Sequence, residues 1–288
     1  MLTTVGQLPV LRWPALDNTG VVEAIVTTTG GGISTGPYES LNLSFSVGDD
    51  PASVVENRAR SAKAVGLDLD DLVFCKQSHG RAVAQVTTAD RGRGTRPDRS
   101  TKVSTSTDGI ARTEARTHAA AIADTDALVT TDTEVGLVVM VADCVPIVMV
   151  DPDAMVLACV HAGWRGTVQR VTQAAVEEMA RLGADPAAII AGIGPAIPAD
   201  RYQVGQDVFD AAGDAFGPKV DQVISEDGTG KWLFDVWEAN RLVLAESGVT
   251  EDHIHLADIG TGTGEFFSHR ATNPGGRFAA IAKLKASQ

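Results

Sequence analysis

The sequence has little cysteine, little positive charge and no long apolar run, and each shortage excludes a class of protein. Three cysteines in 288 residues do not make a disulfide scaffold. No apolar run reaches the roughly 18 residues of a membrane span, and MLTTVGQLPV does not have the pattern of a secretory signal peptide. The net charge of −13 argues against a nucleic-acid or anionic membrane partner. We therefore expect a reduced, cytoplasmic protein.

The most informative stretch is 137–167, LVVMVADCVPIVMVDPDAMVLACVHAGWRGT. Two apolar, β-branched runs flank a turn, which predicts a β-hairpin with Asp151 opposite Ala154. That register places Cys144 opposite His161, with their Cβ atoms roughly 4.5–5.5 Å apart. A slip of one residue would put the two side chains on opposite faces. A thiol and an imidazole this close could share a metal ion or act as a nucleophile and its base.

The rest of the chain predicts an α+β fold, because short strands mix irregularly with helices. A helix is expected after Asp50 as N-cap, with Asn57, Arg58 and Arg60 on its solvated face. A second helix is expected over 167–183, with Thr167 as N-cap and Gly183 after its end. Residues 88–120 are polar and predict a long exposed or partly disordered loop. We expect a single domain over 1–288.

Three residues beside glycines at predicted strand ends are candidate ligands: His79, Cys144 and His161. A His₂Cys set suits catalytic zinc, since it leaves a fourth position for water, whose pKa zinc lowers toward about 7. The ligands are not clustered in sequence, so alternatives stay open. Cys144 could be a nucleophile with His161 as base, a pair that does not need His79. The cysteines could also be core thiols, which is the expectation for Cys75 and Cys159.

Asp143 precedes Cys144 and points to the opposite face of a regular strand. It is a candidate catalytic residue, either as a partner that orients a metal ligand or as a general acid or base. The alternative is a purely structural role, in which the Asp143 carboxylate caps a loop. The sequence leaves these three roles open.

Seven segments carry information about family: GPYESLNLSFSVGDDPASVVENR (36–58), QSHG (77–80), ADTDALVT (123–130), ADCVPI (142–147), HAGWRGT (161–167), GPAIPADRYQVG (194–205) and FFSHR followed by GGR (266–277). Together they resemble the YfiH/YlmD/PgeF family. Its members are described variously as laccase-domain, multicopper polyphenol oxidase proteins, as peptidoglycan editing factors and as purine nucleoside phosphorylases. The segments keep the family order over nearly the whole chain.

The resemblance implies a single-domain layered sandwich of mixed β-sheets flanked by helices. It implies zinc as cofactor, held by His79, Cys144 and His161. The implied reactions are phosphorolysis of adenosine, inosine and methylthioadenosine, and deamination of adenosine, so the partners are purine nucleosides and phosphate. Arginine suits phosphate, and the candidates are Arg58, Arg165 and Arg270. Candidates for contacts to ribose or base are Asn42 and Gln77. The protein is expected to be a monomer or a small homo-oligomer.

The chain departs from the family pattern at three places. Thr29 stands where the family commonly has Arg, the stretch at Asp258 lacks the usual Cys-Thr, and Ala271 replaces another Arg. Phosphorolysis is then expected to be less efficient than deamination. The alternatives are a cysteine hydrolase that edits peptidoglycan precursors and a non-catalytic binding protein. A copper-dependent phenol oxidase is disfavoured, because six histidines are too few for multicopper oxidation.

Overall fold

Two six-stranded sheets form the centre of the protein in a computed structural model that describes residues 1–98 and 119–286. The described residues contain these strands: β1 Leu2–Val5, β2 Leu8–Leu11, β3 Val22–Thr27, β4 Leu72–Phe74, β5 Val83–Gln85, β6 Ala127–Thr130, β7 Gly136–Val141, β8 Val145–Asp151, β9 Val156–Ala162, β10 Ile190–Ile193, β11 Gln203–Val204, β12 Ile224–Glu226, β13 Trp232–Phe234, β14 Ile254–Leu256 and β15 Phe278–Leu284. Their helices are α1 Pro14–Asn18, α2 Pro51–Ala64, α3 Trp164–Val168, α4 Val171–Arg181, α5 Gln206–Phe216, α6 Val220–Val223 and α7 Val236–Glu246.

The strand order is β1-β2-β3-β15-β7-β4 in the first sheet and β14-β10-β8-β9-β6-β5 in the second. A third, small sheet has the order β11-β13-β12. Most neighbours are antiparallel, but β4 runs parallel to β7, β5 to β6 and β14 to β10. The sheets are therefore mixed.

Apolar side chains on both faces of each large sheet produce a layered sandwich. Leu137 and Val139 of the first sheet pack against Leu157 and Cys159 of the second, in the core between the sheets. The outer face of the first sheet packs against α2, and that of the second against α4 and α7. The predicted α+β sandwich of mixed sheets flanked by helices is confirmed. None of the described helices is long and apolar enough to cross a membrane.

Helix α2 begins as predicted, because the Asp50 side chain accepts a 2.9 Å hydrogen bond from the Ser53 amide. The predicted solvated face is wrong for Asn57 and Arg58, which are buried. Asn57 hydrogen-bonds the segment 33–42 through its side-chain amide. Arg60 lies at the surface and pairs with Glu56. Helical spacing alone did not reveal that a further segment covers this face.

The predicted N-cap at Thr167 is wrong, because a short helix, α3, already begins at Trp164. The chain then breaks before α4, where Arg170 adopts a left-handed φ of 62°. Gly183 follows the end of α4 with φ 105°, as predicted. Thr167 is buried, and its hydroxyl accepts a 3.0 Å hydrogen bond from Asn240 of α7.

The predicted hairpin forms from β8 and β9, but its register differs by two residues. Asp151 pairs with Val156, so the loop holds four residues, Pro152 to Met155, rather than two. Met155 has a left-handed φ of 54°, which lengthens the turn. His161 consequently faces Pro146 instead of Cys144. A shift of two residues preserves the face of every side chain.

Residues 99–118 of the polar segment 88–120 lie outside the described residues. Most residues at the ends of the segment are exposed, as predicted, but the middle of its first part is not. The Phe74 amide donates to the Arg93 carbonyl at 3.0 Å, and Thr95 is fully buried. Residues 93–95 therefore pack along β4. Polar composition did not reveal this, because backbone hydrogen bonds to β4 hold the segment.

Candidate metal centre

His79, Cys144 and His161 meet at one end of the two large sheets. One ligand atom from each lies within 4.8 Å of the others. His161 belongs to β9, whereas Cys144 and His79 lie in segments that cross from the first sheet to the second, between β7 and β8 and between β4 and β5. His161 is 2% exposed, Cys144 is half-buried and His79 is exposed. The cluster therefore opens to solvent on the His79 side.

The crossing at 142–144 determines where Cys144 lies. Val141 ends a strand of the first sheet and Val145 begins one of the second, so three residues make the corner. The backbone of Asp143 has a φ of 90° there, a conformation that residues other than glycine rarely adopt. Cys144 is two residues from Pro146, the partner of His161 in the register. The corner therefore places the Cys144 thiol near His161, although the two residues are not paired in the strand register.

Gly163 closes the back of the cluster, directly after β9. A Cβ atom at this position would lie 2.9 Å from Cys144 Sγ and 2.9 Å from His79 Cδ2. No real Cβ contact is that short, so any side chain would displace one of the two ligands. The first glycine of HAGWRG, Gly163, is therefore required by the close approach of Cys144 and His79.

Asp126 contacts two of the candidate ligands, although the sequence indicated no role for it. Its fully buried carboxylate accepts hydrogen bonds from His161 Nδ1 at 2.8 Å, from the His79 amide at 3.0 Å and from the Gly80 amide at 2.8 Å. A carboxylate at Nδ1 requires a proton there, so in the neutral form of His161 the lone pair that could bind a metal is on Nε2. The signal available in the sequence was the ADTDALVT segment, but it indicated no partner.

The electrostatics of the cluster favour the thiolate of Cys144. Burial would raise the pKa of Cys144, but the charge and hydrogen bond of His161, with those of His79, lower it to about 6. Burial would lower the pKa of His161, but Cys144 and Asp126 raise it to about 9. The thiolate is the form that binds metals and attacks electrophiles. By contrast, burial raises the pKa of Cys75 to about 12, which suits a core thiol.

Asp143 turns away from the cluster and holds a loop near the C-terminus. One carboxylate oxygen accepts from the Thr261 hydroxyl and the other from the Arg270 amide, both at 2.6 Å. Its carbonyl accepts from the Ile197 amide at 3.0 Å. These bonds use both carboxylate oxygens to hold the segment 261–270, which matches the loop-capping alternative. A catalytic role for Asp143 stays a prediction.

The two predicted polar contacts are both engaged within the protein. Asn42 is fully buried, and its amide bonds Ser44, Asp49 and the Arg277 backbone. Gln77 pairs with the Met140 backbone, donating to its carbonyl at 2.7 Å and accepting from its amide at 2.8 Å. Both side chains therefore stabilise backbone segments of the protein. Their contact with a substrate stays a prediction.

The predicted arginines Arg58, Arg165 and Arg270 form no ion pair with a carboxylate of the described residues. Within 1–98 and 119–286, most arginines do form one. The set without an ion pair in these ranges is Arg58, Arg81, Arg165, Arg270 and Arg277. Arg81 follows His79 by two residues, and Arg165 follows His161 by four. Arg270 bonds through its amide to Asp143, the neighbour of Cys144. Three of the five arginines are therefore close in sequence or by a hydrogen bond to candidate ligands.

Arg58 is the most buried member of that set, with 2% exposure. Its guanidinium lies between two rings, 4.2 Å from the centre of Phe45 and 3.9 Å from that of Phe74. It donates to the carbonyls of Leu43 and Gly94. Burial lowers its pKa to about 9, so it stays charged at neutral pH.

The fold and the cluster define a layered α+β protein with a His–Cys–His site between two sheets. The family model described as multi-copper polyphenol oxidoreductase laccase matches residues 23–285. The chain belongs to this family, which includes the YfiH and YlmD proteins.

Three similar proteins show how far the likeness extends. The chain is 33% identical to the purine nucleoside phosphorylase YlmD of Bacillus subtilis, over 93% of this chain and 91% of that one. It is 39% identical to the adenosine deaminase RL5 of an unknown prokaryotic organism, over 81% of each. The crystal structure of YlmD from Geobacillus stearothermophilus aligns with a TM-score of 0.85 and 32% identity, over 99% of this chain and 98% of that one.

Proposed function

We propose that this protein is a zinc-dependent purine nucleoside enzyme of the cytoplasm. It cleaves adenosine, inosine or methylthioadenosine with phosphate and deaminates adenosine to inosine. The observation that carries the proposal is the convergence of His79, Cys144 and His161 within 4.8 Å. The names of the relatives, purine nucleoside phosphorylase and adenosine deaminase, support the substrate class.

The donor set fits zinc, although two imidazoles and one thiolate are also the ligands of type-1 copper. Two imidazoles and one thiolate are borderline-soft ligands, and three protein ligands leave one position open. Asp126 holds His161 in the tautomer that offers Nε2, as carboxylate partners of zinc-bound histidines do. A zinc ion bound there would supply a Lewis acid and an activated water. The residues of the described chain fit this group.

The unpaired arginines support phosphate as co-substrate. In phosphorolysis, a phosphate oxygen forms a bond to C1′ of the ribose while the bond to the purine nitrogen breaks. The site must therefore hold an anion next to a neutral nucleoside. Arg165 and Arg270 carry charges with no carboxylate partner among the described residues. Arg58 is a weaker candidate, because it is buried between two rings and donates to backbone carbonyls. Gln77 and Asn42 are the proposed neighbours of ribose and base.

Product chromatography tests the proposal directly. Zinc-loaded protein is incubated with adenosine, with and without phosphate, beside the Cys144→Ala variant as control. Inosine formed without phosphate demonstrates deamination. Adenine together with ribose 1-phosphate, formed only when phosphate is present, demonstrates phosphorolysis. Unchanged adenosine in both reactions, with inosine and methylthioadenosine also unchanged in the presence of phosphate, would refute the proposal.

A second candidate function is a cysteine hydrolase, favoured by one specific observation. Asp126, His161 and Cys144 form the order carboxylate, imidazole and thiolate of a nucleophilic triad. A hydrolase predicts activity that survives a chelator and is lost on alkylation of Cys144. The zinc enzyme predicts loss with the chelator and recovery on adding zinc.

A further inference from the structure

Tyr202 has a hydroxyl group without a partner, close to the candidate site. Its backbone is fixed by hydrogen bonds from its amide to the Ala199 carbonyl and from the Phe234 amide to its carbonyl, both 3.1 Å. Its ring packs 6.1 Å from the ring of Phe234. Within the described residues the hydroxyl makes no hydrogen bond. The ring is thus firmly placed, whereas its polar end is available to a ligand.

The surroundings of Tyr202 connect it to Cys144. The Arg270 guanidinium lies 5.3 Å from the centre of the Tyr202 ring. The Arg270 amide donates to Asp143, the residue before Cys144. Burial raises the pKa of Tyr202, and the negative charge of Cys144 raises it further. The positive charges of Arg270 and Arg165 lower that pKa by less. The hydroxyl therefore keeps its proton and is a hydrogen-bond donor at neutral pH.

Arg270 is available to an anion. Its two terminal nitrogens donate only long hydrogen bonds, 3.3 and 3.4 Å, to the Gln203 carbonyl, and its side chain is exposed. The Arg165 guanidinium lies 4.3 Å above its neighbour Trp164 and makes no ion pair among the described residues. An oxyanion would accept shorter, charge-assisted bonds from both.

We propose that Tyr202 completes an anion subsite, in which its hydroxyl donates to a phosphate oxygen while Arg165 and Arg270 neutralise the charge. This rests on the proposed function and deepens it by naming a binding residue for the second substrate. A neutral donor is useful here because it orients a tetrahedral phosphate without adding charge. The same chemistry would accept the phosphate of a nucleotide, and the test separates the two sources.

The two tyrosines of the chain form a matched pair for the test. Tyr202→Phe and Tyr38→Phe each remove one hydroxyl, but the Tyr38 hydroxyl donates to the Val47 carbonyl at 2.6 Å. Steady-state kinetics of inosine phosphorolysis give separate KM values for phosphate and inosine. Zinc content by mass spectrometry shows whether each variant keeps its metal.

Tyr202→Phe is expected to raise KM for phosphate about 10- to 100-fold, since it removes a hydrogen bond to a charged group. Its KM for inosine is expected to change less than twofold, and Tyr38→Phe to match the wild type. An unchanged KM for phosphate would overturn the subsite. Equal rises in both KM values would also overturn it, since they would indicate a general disturbance of the site.

Calorimetry distinguishes failure of the subsite from failure of the proposed function. Zinc-loaded protein is titrated with inorganic phosphate alone, and then with adenosine 5′-monophosphate. Phosphate binding that Tyr202→Phe weakens supports the subsite even when no nucleoside is cleaved. No phosphate binding to the wild type overturns it. Binding of the nucleotide alone, dependent on Tyr202, would overturn the assignment to inorganic phosphate.

Discussion

His161 Nδ1 lies 2.8 Å from a carboxylate oxygen of Asp126, and both side chains are buried. The same carboxylate accepts hydrogen bonds from the amides of His79 and Gly80. One acidic residue therefore orients the ring of one candidate ligand and the backbone of another. The placement of both histidines depends on it.

Asp126→Asn is expected to lower zinc affinity about 10- to 100-fold, as loss of a carboxylate partner of a ligating histidine typically does. Zinc competition against a chromogenic chelator measures the change. Asp124→Asn is the matched control, because Asp124 is exposed, two residues away and makes no hydrogen bond among the described residues. Equal affinities for the two variants would contradict the orienting role of Asp126.

Cys144→Ala is expected to lose stoichiometric zinc, since it removes the thiolate of the candidate site. The control is Cys159→Ala, because Cys159 is fully buried between the sheets and is not one of the three candidate ligands. That variant should keep its zinc and lose about 1 kcal/mol of unfolding free energy. Metal analysis of the purified variants measures the zinc bound per protein molecule. Stoichiometric zinc in Cys144→Ala would refute the ligand assignment.

Gly163→Ala is expected to abolish zinc binding while the protein stays folded. The added methyl group would lie 2.9 Å from Cys144 Sγ and from His79 Cδ2, so one ligand must move. Gly213→Ala, in helix α5 with nothing within 4 Å of the new atom, should instead stabilise by about 0.5–1 kcal/mol. Circular dichroism and metal analysis measure both, and normal zinc binding by Gly163→Ala would contradict the geometry.

Arg58→Ala is expected to destabilise the protein by about 3 kcal/mol, because it removes buried hydrogen bonds and leaves space between two rings. Arg60→Ala, two residues further along α2, breaks an ion pair with Glu56 and a 3.1 Å hydrogen bond to the Gly31 carbonyl, both at the surface, and should cost about 1 kcal/mol. Urea unfolding followed by fluorescence gives both values. Similar midpoints for the two variants would show that Arg58 is not part of the folded framework.

Local signals in the sequence predicted much of the fold. Asp50 and Pro51 begin α2, Gly183 follows α4, and the apolar runs around Cys144 and His161 form strands as expected. These features depend on neighbours within a few residues, where capping and hydrophobic periodicity act. The three candidate ligands were also chosen from sequence, since each stands beside a glycine or a corner at a strand end.

Long-range packing decided the rest. The sequence by itself determined the elements of this protein and the residue types at its candidate site. Only the tertiary structure shifted the hairpin by two residues, buried Arg58 between two rings and brought Asp126 to His161. It also left Arg165 and Arg270 without an ion pair among the described residues, because ion pairing depends on which distant carboxylates come near. Such contacts join segments far apart in the chain, and no local pattern encodes which of them will meet.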